Sequence, residues 1–307
     1  MQTTKENNMP AFSTDVHAHL APINVNRINS ISGVEWNAQN NALIVDGHKV
    51  GISNLFSPPK LLEWLDRYNI SKALVSIPPP LYRQQLSATD SAEWSQYLND
   101  ELLVIKQASN GKLGALIYLP AEHPDVSLDL LNRYKLSQFD GVALAAGGHP
   151  KIDYSALEYT SIWEILNQNN FFTFIHPGTC ADPRLSAYYL ENLVGNPHET
   201  GIAASHLIMA GIPSKFPNIR FCLAHGGGSL TSLIGRLERG FDTSRPGLDL
   251  NVERPLQAVK RFYADCICHD ASLLDHAQKL FGNDHVLFGS DWPFPMGITD
   301  PATFFQK

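Results

Sequence analysis

Cysteine is scarce: the 307 residues hold four, at Cys180, Cys222, Cys266 and Cys268. Four thiols do not make a disulfide framework in a chain of this length. Cys266 and Cys268 form C-x-C inside an apolar run, whereas a zinc knuckle needs paired C-x-x-C units, so these two read as core thiols, and the cysteine usage fits a reducing cytoplasm. Positive charge is also short, with 23 Lys and Arg against 30 Asp and Glu and a net charge of -7. That balance excludes the basic footprint of a nucleic-acid binder. No apolar run approaches the roughly 18 residues of a membrane span. Met1 to Pro10 is polar and lacks the apolar core of a signal peptide. There is no internal repeat and no low-complexity tract. What is present is an ordinary globular balance, 44% hydrophobic and 17% charged, enough for one barrel-sized domain or two smaller ones.

The stretch Ser13-Thr14-Asp15-Val16-His17-Ala18-His19-Leu20 organises the rest. It reads as a strand, in which residues two apart point the same way. His17 and His19 therefore offer two imidazoles to one point. Alone, the pair reads equally well as two surface histidines. Residues 1–12 read as a tail and 13–307 as one domain. An excursion over 21–57 is too polar for a core. It carries a hairpin at Ala42-Leu43-Ile44-Val45 with an Asp46-Gly47 turn, a small β flap.

Beyond it the chain alternates. Helical spacing over 58–69, 90–110, 125–136, 154–169, 201–216, 229–240 and 271–281 separates apolar runs over 73–77, 113–119, 141–146, 171–175, 219–224, 262–268 and 286–289. With the histidine strand these make eight strands, continuous in apolar character as expected when both faces are buried. Alternating β and α units imply parallel strands, and eight of them a (β/α)8 TIM barrel. The chain stops at Lys307, so a last helix expected from Pro301 is cut short. Either the chain is truncated after strand eight or the barrel closes unusually.

Chemistry in such a barrel sits at the carboxyl ends of the strands. Strand one ends in His17 and His19, strand five in His176, strand six in His225 and strand eight in Asp291. Any one of these can be a satisfied buried polar group, but five at matching strand ends form a set. Imidazoles with a carboxylate suit zinc or a similar divalent ion.

This arrangement resembles the amidohydrolase superfamily, and more closely its aminocarboxymuconate-semialdehyde decarboxylase branch. The resemblance is carried by Asp15-Val16-His17-Ala18-His19, Phe174-Ile175-His176-Pro177-Gly178, His225-Gly226-Gly227-Gly228 and Gly289-Ser290-Asp291-Trp292-Pro293-Phe294-Pro295, with Gly235-Arg236 and Arg245-Pro246. It implies His17, His19, His176 and Asp291 as ligands of one divalent ion, zinc first and manganese second. It implies His225 as the acid/base that activates water at that ion. It implies Arg236 and Arg245 as holders of substrate carboxylates, the first reaching across a homodimer. Binuclear relatives bridge two metals with a Lys or Glu on strand four; Phe139–Ala146 has neither, so one metal is expected. The family's further substrate arginine in the insertion is missing, and Lys49 is the nearest cation. Tyr82, Arg83, His149 and His269 also follow strands, the histidines read as structural.

The expected activity is decarboxylation of a small aromatic or unsaturated carboxylic acid in the cytoplasm. A hydrolase of an amide or lactone, or a hydratase, uses the same donors. A metal-binding barrel without catalysis is the third reading, and the intact five-residue set argues against it. Convergent cations in the pocket favour an acid substrate; an apolar pocket with a neutral hydrogen-bonding rim favours a lactone.

Overall fold

The computed structural model describes residues 13–301. The tail expected over 1–12 and the helix expected beyond Pro301 lie outside these residues. Eleven strands are described: β1 (Thr14–His19), β2 (Val34–Asn37), β3 (Ala42–Val45), β4 (His48–Val50), β5 (Lys72–Ser76), β6 (Leu113–Leu119), β7 (Gly141–Ala145), β8 (Phe172–His176), β9 (Arg220–Leu223), β10 (Tyr263–Asp265) and β11 (Val286–Leu287). Eight of them form one sheet in the order β1-β5-β6-β7-β8-β9-β10-β11, and every pairing in it is parallel. The ends meet: Val16 N donates to Phe288 O at 2.9 Å, Asp291 N to His17 O at 2.7 Å and His19 N to Trp292 O at 2.8 Å. The barrel thus closes through the irregular stretch after β11, the same stretch that carries Asp291.

The interior explains the apolar runs. A cluster separate from the main core takes Val16, Leu74, Leu116, Ala143, Phe172, Phe174 and Cys222, with Tyr263 and Leu287 packed on it. Every barrel strand contributes to it, so the barrel is filled rather than hollow. The larger core lies between strands and helices. There α2 (Ala88–Ala108) buries Trp94, Leu98 and Leu102, residues on one helical face. Ser87 caps this helix by accepting from Asp90 N, a contact that stabilises a helix by about 1 kcal/mol.

The insertion is a three-stranded antiparallel sheet in the order β2-β3-β4. Asp46 (φ 49°) and Gly47 (φ 79°) make its second turn, the two positive-φ residues a tight hairpin requires. Arg83 holds this flap down. Its guanidinium donates to both Asp46 oxygens at 2.8 and 2.6 Å and to Ser32 O at 2.8 Å.

Two expectations shift. The helix read over 201–216 is α5 (Asn196–Met209) followed by a single turn, Ile212–Lys215. Gly211 between them is left-handed (φ 68°), and Pro213 follows, a C-terminal stop. The strand read over 262–268 ends at Asp265, because Asp265 Oδ1 accepts from Ile267 N at 3.0 Å and turns the chain.

Candidate active site

His17 and His19 lie at the end of β1 and His176 at the end of β8, all buried. Asp291 follows β11 in a left-handed conformation (φ 57°). Ligand atoms of these four, one from each, lie within 4.8 Å of one another. His17 Nε2 and His19 Nε2 are each 3.2 Å from Asp291 Oδ1 and 3.0 Å from each other.

The other ring nitrogens are already committed. His17 Nδ1 is 2.7 Å from Asp265 Oδ2. His19 Nδ1 is 3.2 Å from Ile77 O, and His176 Nδ1 is 2.8 Å from Pro177 O. Each imidazole therefore gives Nδ1 to an oxygen and turns Nε2 inward. His176 Nε2 is buried and has no hydrogen-bond partner among the described residues, a costly state for a polar atom unless a ligand completes it. Two nitrogens against one carboxylate oxygen cannot both be satisfied by a single shared proton. A divalent cation satisfies all four donors at once, so the residues present fit such an ion. Phe174 floors the site, its ring centroid 4.8 Å from that of His17.

Electrostatics agree. Burial pushes the His17 imidazole down, but Asp291 and Asp265, one against each nitrogen, raise it further, to about 10. Burial, with the neighbouring imidazoles, holds His176 well below its ordinary value. Burial alone would lift the Asp291 carboxyl, yet His17, His19 and His225 hold it well below the usual carboxylate range. Because the raised pKa keeps His17 protonated at neutral pH, a cation entering the cluster must displace that proton. Metal uptake between about pH 7 and 9 should release one proton, the apparent association constant rising roughly tenfold per pH unit. Calorimetric titration in two buffers of different ionisation enthalpy counts it, and uptake that releases none contradicts the assignment.

His225 stands beside the four. Its Nε2 is 3.9 Å from Asp291 Oδ2, and its Nδ1 is buried without a partner among the described residues. The residue is left-handed (φ 54°) and the glycines after it are tightly packed. A Cβ on Gly226 would sit 2.4 Å from Cys268 Sγ, and one on Gly228 2.2 Å from Pro197 O. The His-Gly-Gly-Gly sequence is thus what lets the chain turn here and present the imidazole.

His225 and Asp291 face a cavity of about 550 Å³ walled by Leu193, Val194, Ile267 and Met296, with His198, His269 and His276 on its rim. Among the described residues lining it there is no Lys or Arg. A second cavity of about 530 Å³ lies under the flap, lined by Lys49, Tyr82 and His149.

The structure therefore brings His17, His19, His176, His225 and Asp291 together. It does not bring Arg236 and Arg245 to them within one chain. Arg236 is exposed on α7 (Leu230–Asp242). Arg245 is also exposed and donates to Thr243 O. His269, read as structural, lines the larger cavity with φ 59°. Sequence reasoning missed Asp265, fully buried behind His17 and His225. It also missed Asp15, whose Oδ2 accepts from Ser290 Oγ at 2.6 Å and whose Oδ1 accepts from Ser290 N at 3.0 Å, fastening strand eight's end to strand one. The available signal for Asp265 was a lone acid inside an otherwise apolar run, whereas Asp15, among Thr14, His17 and His19, carried no such signal.

A closed (β/α)8 barrel with three imidazoles and a carboxylate converging at its mouth defines a metal-dependent barrel enzyme. The chain belongs to the amidohydrolase family, whose model matches residues 14–307. It is an enzyme, a metal-dependent carboxy-lyase or hydrolase. It is 28% identical over 311 residues to 2-amino-3-carboxymuconate-6-semialdehyde decarboxylase of Dictyostelium discoideum, covering 97% of this chain and 86% of that one. It is 27% identical over 253 residues to 6-methylsalicylic acid decarboxylase of Penicillium expansum, covering 78% and 77%. Its fold matches the crystal structure of a dihydroxybenzoic acid decarboxylase from Polaromonas sp. JS666 with bound manganese and an inhibitor, 2-nitroresorcinol. That match has a TM-score of 0.76 at 18% identity and covers 96% of this chain and 90% of that one.

Proposed function

We propose that the protein is a metal-dependent decarboxylase, a carbon–carbon lyase acting on a small aromatic or unsaturated carboxylic acid. His17, His19, His176 and Asp291 would hold one divalent ion, zinc first and manganese as the alternative. The observation that carries this reading is the orphaned His176 Nε2 converging with two further imidazoles and Asp291, beside a cavity of about 550 Å³ with room for an aromatic acid. The decarboxylases among the relatives support the reaction type. When bound, such an ion supplies a Lewis acid that holds the substrate's oxygens and absorbs developing negative charge.

The chain's own residues do the rest. The apolar wall takes the ring face and excludes water. As the bond between ring carbon and carboxyl carbon breaks, its electron pair stays on the ring carbon, which takes a proton from His225 Nε2 while carbon dioxide leaves. His225 then recovers a proton from solvent, its side chain being 21% exposed. A positioned acid of this kind contributes about 10²- to 10⁴-fold in rate. Arg236 and Arg245, exposed in one chain, would bind the acid from the second copy of a homodimer, the planar guanidinium matching a carboxylate. Four unpaired cysteines suit a reducing cytoplasm.

One observation favours the second reading, a hydrolase of an amide or lactone: among the described residues of a single chain, the cavity's lining carries neither Lys nor Arg. Metal-loaded protein incubated with panels of phenolic acids and of lactones separates the two. Carbon dioxide released from at least one acid, and weakened by Arg236→Ala, is expected. Lactone turnover with no carbon dioxide from any acid overturns the decarboxylase.

A further inference from the structure

Asp265 is the last residue of β10 and is fully buried. Its Oδ2 lies 2.7 Å from His17 Nδ1 and accepts from His225 N at 2.9 Å. Its Oδ1 accepts from Gly226 N at 2.8 Å and Ile267 N at 3.0 Å. One carboxylate thus touches the imidazole of β1 and the backbone of the turn after β9, two segments 208 residues apart in sequence (225 − 17).

We propose that Asp265 is a positioning residue that sets the metal ligand His17 and the acid/base His225 together, through the one oxygen they share. This rests on the roles given to those two histidines in the preceding subsection. A histidine can give Nε2 to a metal only if Nδ1 keeps the proton, and a carboxylate at Nδ1 both fixes that tautomer and strengthens the ligand. His225, meanwhile, sits at φ 54°, a conformation costing a non-glycine residue about 1–3 kcal/mol unless its surroundings enforce it. Two successive N–H groups, of His225 and Gly226, donating to one anion enforce it, a small backbone nest closed around a carboxylate. Moving Asp265 therefore loosens the ligand and tilts the base in the same step. A merely structural carboxylate would need only the backbone donors; the bond to His17 serves the site.

The test is Asp265→Asn. An amide keeps the volume but replaces one acceptor oxygen with a donor. If that donor faces His17, the imidazole must give up its Nδ1 proton, carry it on Nε2 instead, and lose its lone pair for the metal. If it faces the turn, the amides of Gly226 and Ile267 lose their acceptor. The expected result is a folded protein whose metal dissociation constant, from competition with a chelator, rises about 10- to 100-fold. At saturating metal, kcat on a phenolic acid of the panel that wild type turns over should fall about 100-fold with KM little changed, as for a misplaced catalytic group. A folded variant with wild-type metal affinity, or one whose kcat is intact once loaded, overturns the proposal. Should Asp265→Asn fail to fold, the ¹⁵N spectrum of histidine-labelled, metal-loaded wild type decides. A His17 Nδ1 that carries a proton hydrogen-bonded to carboxylate supports the proposal, and an unprotonated His17 Nδ1 refutes it. Wild-type protein that binds no divalent ion would refute the site reading itself, an outcome distinct from either.

Discussion

Asp291→Ala is expected to abolish metal retention and turnover together. Asp291 is the only anion among the four converging donors, and its Oδ1 is 3.2 Å from two of the three imidazoles. Without it the site is three imidazoles with no negative charge to offset a dication. Loss of an outer-sphere partner of a ligand already costs about 10- to 100-fold in affinity, so loss of a charged ligand should exceed about 100-fold. The substitution also removes the larger of the two carboxylate influences that raise His17. The prediction is read by elemental analysis after dialysis and by turnover on the same sample. A variant that keeps one metal per chain contradicts the ligand role. A variant that loses the metal yet retains activity contradicts the metal-dependent mechanism.

His225→Ala is expected to do the opposite with the metal and the same with the reaction. Its Nε2 is 3.9 Å from Asp291 Oδ2, outside the close group of four, so metal content should match wild type. Turnover should fall by about 10²- to 10⁴-fold, the range for removing a positioned acid or base. At 1.36 kcal/mol per tenfold that is about 3–5 kcal/mol of barrier. Because residue 225 is left-handed, alanine adds backbone strain of its own. His225→Asn is the control, since asparagine tolerates that conformation and cannot move the proton at neutral pH. Both variants should be metal-replete and slow. Loss of metal in both would make His225 a ligand instead.

The contrast between these variants follows from what the sequence could and could not disclose. Spacing two apart put His17 and His19 on one face without any tertiary knowledge, and the structure joins their rings at one carboxylate oxygen. Strand β6 (Leu113–Leu119) and the helix over Ala271–Phe281 lie where the apolar pattern put them. His176, His225 and Asp291 were visible because a polar residue at the end of a buried run must have a partner. Asp265 was not, because it sits within a run that reads as one continuous strand. Its reason for being there is a contact with His17, and periodicity carries no information about such a partner. The ring nitrogens were also beyond reach: which faces inward depends on Ile77 O, Pro177 O and Asp265, all set by packing. Arg236 shows the same limit from the other side. Its place in a motif was legible, but its exposure on α7 depends on the fold around it, and a single chain gives it no contact with the cavity.

The most direct test is a crystal structure of the metal-loaded protein with anomalous scattering recorded at the metal edge. A single strong peak within about 2.0–2.2 Å of the Nε2 atoms of His17, His19 and His176 and of a carboxylate oxygen of Asp291 is the predicted result. A peak elsewhere, or one that leaves His176 or Asp291 uncoordinated, would contradict it.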